Sequence, residues 1–178
     1  MRLLITVCIL TLAALAFVAY RYAQRAPGDT PRRIGSDVLA GAIMFALFAP
    51  AIGGAAVTIT ISAIAMAPKN LMMLIFGLPW FYMFGAVPAL LCGVVAGALR
   101  PARTTWWSYA KIALVGGVFG VGFVQGFTSR EFSWEELNGS LAIGGPAGVF
   151  SAFLCSIWFY GKPGNTRPAD GDAARATV

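Results

Sequence analysis

Histidine is absent from this 178-residue chain and charge is scarce: 13 Lys and Arg against 7 Asp and Glu, together 11% of the residues. The first absence removes the commonest metal ligand and the side chain best suited to general-base work near neutral pH. The second excludes an ordinary soluble domain, in which about a quarter of residues are charged. Cysteine is nearly absent as well. Cys8, Cys92 and Cys155 all lie inside apolar runs, and no C-x-x-C spacing occurs. They read as buried free thiols rather than a disulfide framework or a metal site. The acids Asp29, Asp37, Glu131, Glu135, Glu136, Asp170 and Asp172 all fall outside the apolar runs or at their edges. An intramembrane enzyme therefore has no nucleophile–base pair to work with, and an ion-coupled transporter has no mid-membrane ionisable group. No cofactor or metal is expected.

What the sequence does have is apolar length. Hydrophobic residues make up 58% of the chain and mean hydropathy is +0.76. Five runs stand out, at about 3–20, 38–66, 79–99, 107–127 and 140–160. Each reaches the ~17–25 residues that a helix needs to cross a ~30 Å hydrocarbon core. The stretch "VTITISAI", 57–64, alternates like a strand. An open strand in lipid would leave its backbone groups unpaired, so helix is expected there too. Thr58 and Ser62 then share a face. They either bond back to their own helix or line a polar path.

Basic residues sort by side. Arg21, Arg25, Arg32, Arg33, Arg100, Arg103, Lys111, Lys162, Arg167 and Arg175 fall on one set of alternate connections, against Arg2, Lys69 and Arg130 on the other. By the positive-inside rule the chain is N-out and C-in, with five spans. This also accounts for the net charge of +6 without nucleic acid. The expected fold is thus an all-α membrane protein with five transmembrane helices. Residues 1–20 form a retained first span, peripheral to the rest. Residues 21–37 are a basic cytoplasmic loop, with Ser36 and Asp37 capping the second span. Residues 38–160 are a four-helix core, with an interfacial segment near 69–78 and a short outer helix near 133–138. The latter rests on a Ser133–Glu136 capping box closed by Gly139. Residues 161–178 are a disordered tail.

The core is rich in glycine and proline. Gly85, Ala89, Gly93 and Gly97 recur every four residues around Pro88. Gly116 with Gly120, and Gly144 with Gly148, repeat the spacing, and Pro50 and Pro146 interrupt the second and fifth spans. In lipid, helices associate through close packing rather than hydrophobic drive, so small residues mark contact faces. A proline bends the helix and frees a carbonyl. These residues are read as helix-packing and kink positions, within one bundle, between copies, or at a hinge. "GAVPALLCG" and "GGPAGVFSA" both place Pro-Ala after glycine, which raises a duplication of spans 2–3 and 4–5.

The pattern G-x-x-P-A-x-x-x-G at Gly85, Pro88, Ala89 and Gly93 resembles a loose group of uncharacterised proteobacterial inner-membrane proteins. That resemblance implies a bacterial inner-membrane location and no assigned activity. By elimination the expected function is a non-catalytic accessory or scaffold protein acting through glycine-mediated helix packing. The competing reading is a small passive channel lined by carbonyls freed at prolines. Expected partners are the lipid bilayer, anionic headgroups at Arg21, Arg25, Arg32 and Arg33, and a second copy or another membrane protein.

Overall fold

A computed structural model describes residues 1–25, 30–64, 66, 72–101, 104–127 and 134–163. Six helices follow in order: α1 (Arg2–Ala23), α2 (Pro31–Ile64), α3 (Met73–Phe76), α4 (Leu78–Ala98), α5 (Trp106–Phe127) and α6 (Trp134–Tyr160). Among the described residues there is no strand, and 57–64 is the end of α2. Five helices, all but α3, are long and apolar enough to cross a membrane, as a multi-pass membrane protein requires.

Local chemistry sets the helix ends. Thr30 accepts the Arg33 N–H on its hydroxyl at 3.3 Å, and Pro31 follows as the first helical residue, a favoured start. Pro79 occupies the first turn of α4, and Pro101 stands just past its end. Gly161 closes α6 at a φ of 78°, with its N–H on the Ile157 carbonyl at 2.9 Å. That left-handed position favours glycine.

Several expected boundaries move. The basic loop is shorter than 21–37: Arg21 is in the last turn of α1, while Arg32 and Arg33 are in the first turn of α2. The Thr-Pro start was present in the sequence, but it lies before the apolar run. Asp37 is consequently inside α2 and caps nothing. Its carboxylate instead pairs with Arg100 at 2.8 Å. Among the described residues, 134–138 form no separate helix, because α6 runs unbroken from Trp134 through Gly139 to Tyr160. Ser133 of the capping box, residues 69–71 of the interfacial segment and all the tail beyond Pro163 lie outside the described residues.

The bundle is built from two intimate antiparallel pairs, α2 with α4 and α5 with α6, joined mainly through α2 and α6. Phe45, Val95, Tyr109, Ile112 and Cys155 are among the fully buried side chains of its core. Helix α1 packs on α4 and α5 and buries only Leu10 and Ala14. Large apolar side chains such as Leu114 and Val118 stay exposed, which is how a helix facing hydrocarbon should look.

Candidate functional site between the helix pairs

Each pair is held at backbone contact by missing side chains. In α2·α4, a Cβ built on Gly93 would lie 2.8 Å from both the Gly41 carbonyl carbon and Phe45 Cβ, and one on Gly97 would lie 2.5 Å from Val38 Cα. In α5·α6, a Cβ on Gly116 would lie 2.6 Å from the Gly148 carbonyl oxygen, and one on Gly144 would lie 2.7 Å from that of Gly120. Atoms do not pack at such distances, and here the obstacle is backbone. No rotamer change relieves it. Gly41 escaped the sequence reading because its partners, at Asp37 and Phe45, are not small. Its signal is the four-residue spacing of 37, 41 and 45 along α2, matched to 93 and 97 on α4.

Between the pairs lies a cavity of about 530 Å³. The structure brings Pro50, Gly85, Pro88, Ala89, Gly116, Gly120, Gly144 and Gly148 together on its wall. Gly93 and Gly97 lie instead in the α2·α4 crossing beyond it, and Pro146 is on the exposed side of α6. Phe45, Cys92 and Ala152 close the floor, all nearly inaccessible. At the other end Trp80, Phe84, Phe127 and Ile143 form the mouth, and each is exposed. Phe84 meets Phe127 edge-on at 5.0 Å and stacks on Trp80 at 6.0 Å. Phe81 lies across Gly54, where a Cβ would overlap its ring.

The wall is almost wholly apolar. Ser151 is the one hydroxyl, amide or charged side chain among the 24 lining residues, and its hydroxyl bonds the Ala147 carbonyl of its own helix at 2.7 Å. The other polar side chains of the spans lie off this wall. Thr58 bonds back to Gly54 at 2.9 Å and Thr60 to Ala56 at 2.8 Å. Ser140 donates to Gln125 at 2.8 Å, tying α6 to α5. Ser62 is buried with its hydroxyl unbonded, away from the cavity wall. Tyr82 on α4 donates to the Leu47 carbonyl on α2, one turn before Pro50.

The four arginines of the first connection do not form one cluster with the cavity. They belong to the opposite end of the bundle. Arg21 donates to the Arg100 carbonyl at 3.3 Å, and Arg25, just past α1, to the Tyr22 carbonyl in its last turn at 3.0 Å. Arg100 also lies over the Phe159 ring at 4.9 Å. Tyr160 donates to the Ala96 carbonyl at 2.7 Å and Tyr109 to that of Gly161. Sequence reasoning missed this polar clasp. Its signal was the placement of Tyr109 and Tyr160 at the ends of apolar runs, where an aromatic with a polar tip finds partners. Among the described residues no group of three His, Cys, Asp or Glu is placed to hold a metal ion.

Comparison with known proteins returns no match: no family model, no curated protein and no solved structure is significantly similar to the chain.

Proposed function

We propose that the chain is a non-catalytic accessory or scaffold protein of the bacterial inner membrane, N-out and C-in, acting through a bundle of two glycine-packed helix pairs. The observation that carries this reading is the pair of backbone crossings, Gly41 with Gly93 and Gly97, and Gly116 and Gly120 with Gly144 and Gly148. Such interfaces fix helices in one register and leave the outward apolar faces of α1, α4 and α5 free to meet other membrane components. The passive-channel reading draws no support from the cavity. Its floor is closed by Phe45, Cys92 and Ala152, and no charged side chain lines it. The orientation rests on the arginine-rich end of the bundle facing the cell interior.

Three experiments test the proposal. Purification from native membranes should return a partner membrane protein, or a second copy, at fixed stoichiometry, and exchanging Leu114 and Val118 on the exposed face of α5 for serine should release it. The chain purified alone and reconstituted into vesicles should pass no small solute; a defined flux would replace the scaffold with the channel. A reporter fused after Val178 should remain on the cytoplasmic side.

A further inference from the structure

We propose that the cavity between α2, α4, α5 and α6 is a binding site for one hydrocarbon chain of a bilayer phospholipid. The inference needs only that the helices lie in lipid, and it stands apart from the scaffold reading. Volume comes first. At about 530 Å³, the space falls within the ~300–1,000 Å³ of pockets that hold whole ligands. A void of that size left empty would forfeit the contacts of all the atoms around it.

Water is a poor occupant. A buried water needs two to four polar partners, and an apolar cavity stays dry. Here the one hydroxyl on the wall, Ser151, already donates to its own helix. An amphiphile with a polar group at depth is excluded by the same count. What remains is hydrocarbon, and a membrane supplies it at the mouth.

Shape agrees. From Trp80 at the mouth to Cys92 at the floor is twelve residues of α4, about 18 Å of helix. The cavity is therefore a shaft entered from one membrane surface and closed near mid-bilayer, the form of a single acyl chain. Its mouth lies at the start of α4 and the end of α5, with the Trp80 indole exposed there. Tryptophan takes that depth because its ring is apolar and its N–H reaches the headgroups. The headgroup then stays outside, and selection is by chain rather than by head. The mouth is at the end of the bundle opposite Arg21 and Arg100, so the arginines that face anionic lipid belong to the other leaflet.

The test uses the full chain in nanodiscs of phosphatidylethanolamine and phosphatidylglycerol, carrying a phosphatidylcholine with a photoreactive diazirine midway along one acyl chain. After illumination the labelled peptides are located by mass spectrometry. Label is expected on Ala49, Ala89 and Cys92, which are buried from the surrounding lipid, in addition to outward residues such as Leu114 and Val118. Label confined to the outward residues would overturn the proposal, and this comparison needs no variant. Gly53→Leu then sharpens it. A Cβ there has no neighbour closer than 3.6 Å, so the side chain can enter the cavity. The variant should lose the inner label and keep the outer one. Retention of both in a folded Gly53→Leu protein would also overturn it.

Discussion

The α2·α4 and α5·α6 pairs reach the same backbone proximity by different locks. In α2·α4 the crossing lies next to a charge pair: Gly97 abuts Asp37 and Val38, and Asp37 reaches back to Arg100 at the end of α4. In α5·α6 the crossing is flanked by neutral bonds, Ser140 to Gln125 at one end and Tyr109 to Gly161 at the other. Close packing alone brings helices together in lipid, but it is weakly directional. The polar bonds beside each crossing hold its register, and they can be of either kind. The charge-locked pair should depend on an ionised partner, and the neutral pair should not.

Breaking either crossing is the largest effect available. Gly97→Leu and Gly120→Leu should each cost more than the ~1–3 kcal/mol of ordinary overpacking, because backbone cannot give way. The expected readout is loss of the monodisperse detergent-solubilised species on gel filtration. A stable, well-behaved Gly97→Leu protein would refute the α2·α4 geometry. Arg100→Gln comes next. A fully buried pair broken on one side costs ~3–5 kcal/mol, and the 30% exposure of Arg100 lowers the expectation to about 1–3 kcal/mol. It should appear as a lower thermal midpoint, and a double-mutant cycle with Asp37→Asn should recover a non-zero coupling. Gln125→Ala and Tyr160→Phe each remove one neutral bond. Interhelical bonds in lipid average about 0.6 kcal/mol, so their midpoints should fall only slightly. Gly139→Ala marks the opposite sign. It sits inside α6 with open space where its Cβ would be, and should raise stability by ~0.5–1 kcal/mol through helix propensity.

Much of the architecture was legible because lipid leaves few choices. Run length predicts the five long helices, and the start of α4 at Leu78 lies one residue from the expected 79. The alternation at 57–64 was resolved by the need to satisfy backbone groups, not by propensity. Boundaries failed where the helix outlasts the hydrocarbon. The first turns of α2 and of α6 are polar, so apolarity could not locate them, while Thr30 and Pro31 could have. Glycine spacing directed attention to α4, α5 and α6, but not to Gly41, whose importance depends on what faces it. The cavity was invisible for the same reason. It is a property of four helices together, and its wall residues, such as Phe45, Ala147 and Val124, carry no mark of their own. Asp37 was read as a cap because a lone acid at the edge of a run usually is one; only the return of α4 reveals Arg100 beside it.

The length of α2 has a mechanical corollary. Its 34 residues make a rod of about 51 Å, against ~30 Å of hydrocarbon. Such a rod cannot stand upright and remain within the oily layer. It must lean, or carry its arginine-bearing turns clear of the acyl region. Because Gly41 fastens it to α4 at bare backbone, any change of lean imposed by a thinner or thicker membrane reaches both helices at once.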